Sequence, residues 1–157
     1  MYSLSPEIKT IWAIGVFTST IFYTLIVFAI DFFILDEFIK NWTLPFGVLP
    51  GIVFLIGITM TFIYPNLAYK YWSFEIREKD IVIKHGILTR VESLAPFVRV
   101  QHLDVQQGIM DRMFGLGKLI IFTAGTRGAD LVIPGLPIAY AEALRDQLKN
   151  YTREDAV

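Results

Sequence analysis

Leu44–Tyr64, LPFGVLPGIVFLIGITMTFIY, carries no charge, and eight residues later Trp72-Ser73-Phe74-Glu75-Ile76-Arg77 alternates apolar with polar side chains. The first pattern has the length of a membrane span, because about 20 apolar residues at roughly 1.5 Å rise cover a hydrocarbon core of roughly 30 Å. The second has period two and reads as a half-buried strand. A lipid-facing helix therefore runs almost directly into a β domain, and the rest of the chain is read outward from that junction.

Upstream, Thr10–Ile30 is a second stretch without charge. A cleaved signal peptide is the rival reading. Only Lys9 closely precedes the run, the apolar stretch is longer than a signal peptide's core, and Asp31-Phe32-Phe33-Ile34-Leu35 follows without a small-residue cleavage site. An uncleaved helix is expected, which places spans at about 11–30 and 44–64. Pro45 suits a first helical turn, Pro65 an exit, and Pro50 is expected to kink the second span. Gly47 and Gly51 form a small-xxx-small pair that permits close helix approach. Asp31 is read as the end of the first span. Trp42, Tyr64, Tyr69, Tyr71 and Trp72 flank the second span, as interfacial aromatics do.

The bulk composition agrees: mean hydropathy is +0.52 and only 18% of residues are charged, below the quarter usual in soluble domains. The charge is also distributed unevenly. Asp31, Asp36 and Glu37 crowd the link between the spans against Lys40 alone, whereas Lys70, Arg77, Lys79 and Lys84 follow the second span. The positive-inside bias therefore predicts both termini in the cytoplasm. From Lys70 onward 12 Lys and Arg stand against 11 Asp and Glu, a net of +1, which gives no basis for a nucleic-acid partner. There is no cysteine, and so no disulfide framework or thiolate site.

Beyond the junction, Ile81-Val82-Ile83-Lys84 leads into a His85-Gly86 turn, and Ile87–Val91 begins the next strand. Val98 and Val100 share one parity while Leu103 and Val105 take the other, which predicts a bulge near Gln101-His102. Ile109–Gly117 is turn-rich. Leu119–Thr123 and Leu131–Ile133 supply further strands around Gly125 and Gly128. After Pro134, Gly135 and Pro137 the period becomes helical, with Ile138, Ala141, Leu144, Leu148 and Tyr151 on one stripe.

This order of motifs resembles the bacterial membrane-flanked domain family. The likeness rests on Tyr71-Trp72-Ser73-Phe74 after a helical hairpin, on Ile83–Leu88, on Val98–Gly108, and on Arg112-Met113-Phe114-Gly115-Leu116-Gly117. The resemblance implies a pleckstrin-homology-like (PH-like) antiparallel β-roll or partial barrel of seven strands with a C-terminal helix, anchored in the bacterial cytoplasmic membrane. It implies no reaction. The expected fold class is thus an α+β membrane protein: a transmembrane hairpin over residues 1–69 and a cytoplasmic PH-like domain over 70–157.

No constellation for catalysis stands out. His102-x-Asp104 shares a strand face but lacks a third metal ligand at a recognisable spacing. Ser73 and Ser93 have no nucleophile-elbow context, and Gly115-Leu116-Gly117-Lys118 lacks the spacing of a phosphate loop and precedes a strand. No enzyme activity, metal or cofactor is expected. The expected function is a membrane-anchored binding or assembly module whose partner, besides the bilayer, is another protein or a second copy. The alternative is recognition of anionic lipid headgroups by Arg90, Arg99, Arg112, Lys118 and Arg127, each worth on the order of 1 kcal/mol near an anionic surface. Against it, the first β-turn of the domain, Glu78-Lys79-Asp80, is nearly balanced in charge.

Overall fold

A computed structural model describes residues 2–35, 45–124 and 131–154. The expectations placed on Asp36, Glu37, Lys40, Trp42, Gly125, Arg127 and Gly128 lie outside these residues. The chain divides into two compact units: Trp12–Asn66, and a second made of Met1–Ile11 with Leu67–Val157.

The first unit holds most of two helices, α1 (Ile8–Ile30) and α2 (Val48–Lys70), both long and apolar enough to cross a membrane. Away from the face on which they meet, their apolar side chains are exposed; Leu55 is 67% and Phe62 72% accessible. Water would not tolerate so much contiguous apolar surface, whereas lipid does. A π-helical turn, Asp31–Leu35, extends α1. Asp31 is buried, and its Oδ2 accepts a hydrogen bond of 2.8 Å from the Gly47 N–H. The carboxylate thus caps the start of the other helix, where free amide hydrogens and a positive dipole end favour an anion.

Two expectations about this unit are corrected, those for Pro50 and Pro65. Pro50 falls in the first turn of α2, where its missing N–H removes no helical bond. Pro65 lies inside the helix, not at its exit; one turn back, the Asn66 side-chain amide donates to the Phe62 carbonyl at 2.9 Å. Neither Gly47 nor Gly51 has a neighbour within 4 Å of where a Cβ would stand. The close helix approach is instead at Gly57, where a methyl group would overlap the Thr20 side chain. The Thr20 hydroxyl donates to the Val16 carbonyl within its own helix (2.9 Å), so it can face α2 without an unsatisfied proton.

The second unit contains two antiparallel three-stranded sheets. One is β1 (Ser73–Ile76), β2 (Asp80–His85) and β3 (Val91–Pro96) in that order; the other is β4 (Val100–Gln106), β5 (Leu116–Thr123) and β6 (Leu131–Pro137). The resemblance implies seven strands; six occur among the described residues. The register shifts between Val100 and His102, at the place where apolar parity switches in the sequence. The strand expected from Ile87 begins only at Val91, because Gly86 (φ +110°) and the residues after it form the turn. A five-residue helix, α3 (Ile109–Met113), occupies the turn-rich piece, and the N–H of the capping residue before it, Gly108, donates to Asp111 Oδ2 at 3.0 Å. Gly115 follows at φ +66° and turns the chain into β5.

The C-terminal helix, α4 (Ile138–Glu154), buries Ala141, Leu144 and Leu148 over the second sheet, whose Leu119, Ile121, Ile133 and Leu136 complete the core. Tyr151 stacks on Phe97 at 5.5 Å. The N-terminal segment is built into this unit as well. Tyr2 exchanges backbone hydrogen bonds of 2.8 and 3.1 Å with Phe74, and its ring stacks on Phe74. Ser5 N–H donates to the Gly135 carbonyl at 2.9 Å, and the Tyr69 hydroxyl donates to the Leu4 carbonyl at 2.9 Å. Leu4 and Ile8 are fully buried, and a Cβ on Gly135 (φ +63°) would lie 2.8 Å from Ile8.

Candidate functional site

Where α2 ends and β1 begins, a cleft of about 430 Å³ is lined by Lys70, Tyr71, Ser73, Lys84, His85 and Arg90, with Gly86, Val91 and Glu92 completing it. The hairpin register builds it: Lys84 pairs with Glu92 and His85 with Val91 across β2 and β3, while Ser73 stands opposite Lys84 on β1. Lys70 Nζ and the Arg90 guanidinium each lie 5.9 Å from the centroid of the Tyr71 ring. Both cations are thus held at the one Tyr71 ring, whose quadrupole attracts each. Lys84 pairs with Glu92 at 3.1 Å, whereas among the described residues neither Lys70 nor Arg90 has a carboxylate within ion-pair reach. The His85 ring stacks on Trp72 at 6.5 Å. The cleft therefore carries an uncompensated positive charge.

Of the basic residues singled out from the sequence, only Arg90 lines this cleft. Arg99 ends a single 3₁₀ turn (Phe97–Arg99), and its carbonyl accepts from Ala124 N–H. Arg112 lies on α3 with its side chain exposed, while its carbonyl accepts from Gly115 N–H to close the turn. Lys118 is half-buried in β5, opposite Gln106. Arg127 is outside the described residues. Sequence reading missed Lys70, Lys84 and His85 as partners of Arg90. Their signal was the pairing register of the β2–β3 hairpin together with the first charge after the uncharged run.

The His102-x-Asp104 pair is real: Nε2 lies 2.7 Å from Oδ1, with the ring tilted against Phe122 at 5.7 Å. His102 lines a smaller cleft of about 330 Å³ with Arg145 and Asp146, which pair with each other at 2.9 Å. Among the described residues, no three His, Asp or Glu side chains are grouped so as to hold a metal ion.

The family model for the bacterial PH domain matches residues 14–152, which takes in both helices as well as the two sheets and α4. The chain belongs to the bacterial PH domain family. Its sequence is 30% identical over 151 residues to the UPF0699 transmembrane protein YdbS of Bacillus subtilis, covering 96% of the chain and 91% of the relative. It is 24% identical over 114 residues to the UPF0699 transmembrane protein YdbT of the same organism, covering 66% of the chain but only 23% of that larger relative. No solved structure matches it. The molecule is thus a bacterial membrane protein in which two apolar helices precede a PH-like α+β domain.

Proposed function

We propose that this protein is a non-catalytic, membrane-anchored binding or assembly module, holding its PH-like domain at the cytoplasmic face of the bacterial cytoplasmic membrane. One observation carries the reading: the segments at both ends of the hairpin belong to the domain's own fold, through Tyr2 on β1, Ser5 on Gly135 and Leu4 on Tyr69. Residues 2 and 74 being neighbours supports both termini lying on one side of a membrane crossed by α1 and α2, and the Lys and Arg after α2 favour the cytoplasm. A domain that takes in the chain on both sides of its hairpin suits display of a surface to a protein partner or another copy. Ile109 and Met113, one turn apart on α3 and 85% and 74% exposed, offer apolar side chains for such a partner.

A photo-crosslinker placed at Met113 of the full chain, activated in native membranes, tests this. The expected result is a discrete adduct with one protein species that Ile109→Asp removes without lowering the melting temperature. Random, weak adducts insensitive to Ile109→Asp would overturn the reading. A second reading, recognition of anionic lipid headgroups, draws on the convergence of Lys70, Lys84 and Arg90 on one cleft.

A further inference from the structure

Resting on that second reading, we propose that the cleft between the end of α2 and the β2–β3 turn is a specific site for the phosphodiester of one anionic bilayer lipid, and that Leu88 dips into the bilayer beside it. Lys70 is the last residue of α2 and the first charge after the uncharged stretch from Asn41 to Tyr69. It and Tyr71 accordingly stand at headgroup level, where Lys, Tyr and Trp collect. A cleft walled by these two residues opens where lipid phosphates are. Its chemistry fits the group: an ammonium from Lys70, a guanidinium from Arg90, a second ammonium from Lys84 and the Ser73 hydroxyl surround the opening. Arginine's planar set of donors matches phosphate oxygens two at a time. One carboxylate, Glu92, also lines the cleft and neutralises Lys84 at 3.1 Å, which leaves Lys70 and Arg90 to face the anion.

The turn adds an apolar element. Gly86, at φ +110°, has no room for a Cβ because the Thr89 carbonyl occupies that space, so the turn folds tightly on itself. Leu88 emerges at its tip with 99% of its surface exposed, two residues from Arg90. In water alone a leucine held fully outward by a tight turn gains nothing. Beside a cationic cleft at the interface it inserts among acyl chains while the cations hold the headgroup, as interfacial anchors do.

The test uses the full chain in nanodiscs of phosphatidylcholine, with or without phosphatidylglycerol, followed by gentle delipidation and native mass spectrometry. One phosphatidylglycerol per chain should be retained in preference to phosphatidylcholine. Lys70→Gln and Arg90→Gln should each weaken retention about fivefold, which is the roughly 1 kcal/mol of one cation near an anionic surface. Glu92→Gln, by freeing Lys84, should strengthen it, an outcome that misfolding does not produce. Because the chain has no cysteine, Leu88→Cys provides a single attachment point for an environment-sensitive dye, whose emission should shift to the blue more in phosphatidylglycerol discs than in pure phosphatidylcholine.

Three results would overturn the proposal. If phosphatidylglycerol is preferred but the Lys70, Arg90 and Glu92 substitutions leave retention unchanged, lipid recognition stands and this site does not. If the two lipids are retained equally, both fail. If soluble glycerol phosphate displaces the lipid at equal concentration, the cleft is a site for free phosphate esters.

Discussion

The two units of this protein solve the same packing problem in different solvents. In the domain, water drives apolar side chains inward, so Leu119, Ile121, Ile133 and Leu144 are shielded almost completely and α4 carries a single apolar stripe. In the hairpin, lipid is as apolar as leucine and offers no such drive. What brings α1 and α2 together is a missing side chain at Gly57, a self-satisfied hydroxyl at Thr20, and one carboxylate, Asp31, bonded to the start of the other helix. The domain is specified by what it hides, and the hairpin by a few positions where small or polar groups meet. Damage should therefore be distributed differently in the two units.

The largest effect belongs to the domain. Leu144→Asp places an unpaired carboxylate between α4 and the second sheet and should lower stability on the order of 3–5 kcal/mol. Thermal denaturation of the full chain in detergent, followed by near-ultraviolet circular dichroism, measures it; an unchanged midpoint would mean α4 does not pack as described. Next comes Gly135→Ala, which combines a left-handed backbone with overlap on Ile8 and should cost about 1–3 kcal/mol in the same assay. Ile8→Ala added to Gly135→Ala removes part of the overlap, so the double variant should lose less than the sum of the two singles.

In the hairpin, Gly57→Leu should weaken the helix pair by about 1–2 kcal/mol, read as a lower detergent-denaturation midpoint. Gly51→Leu should leave that midpoint unmoved, since nothing adjoins Gly51. Equal effects from the two would erase the contrast between the glycines. The smallest effect concerns Glu7, whose carboxyl is held below its ordinary value of 4.5 by the Ser5 hydroxyl at 2.7 Å and then by a backbone hydrogen bond. A depressed acid contributes stability above its unfolded value, and that contribution fades as pH falls through the folded one. Ser5→Ala should raise the Glu7 titration midpoint toward 4.5, as followed by NMR, and at neutral pH should lose the small stabilisation that the depressed acid supplies.

The same contrast explains what the sequence disclosed. Burial by water imposes a period, so β1, the bulge before His102 and the α4 stripe were legible, and so was the change of class at Lys70. A helix surrounded by lipid is apolar on every side and has no period to report. Spacing therefore singled out Gly47 and Gly51 and passed over Gly57, and only the fold distinguishes them. The cleft escaped for another reason: its cations come from positions 70, 84 and 90, and pairing of β2 with β3 is what gathers them. The N-terminal segment was silent as well. Tyr2-Ser3-Leu4-Ser5 is too short to show periodicity, yet Leu4 is part of the domain's core.

That segment also sets an order of events during synthesis. Tyr2 precedes both helices, whereas its partner, Phe74, is made only after both have been completed. The edge of β1 that Tyr2 covers stays open until the residues of both helices have been made. Closing a contact across more than seventy intervening residues costs entropy that nearby strand pairs do not incur. Tyr2 and Leu4 can therefore lock into place only after the residues of both helices have been made. A bulky tag fused directly before Tyr2 would sit beside that edge.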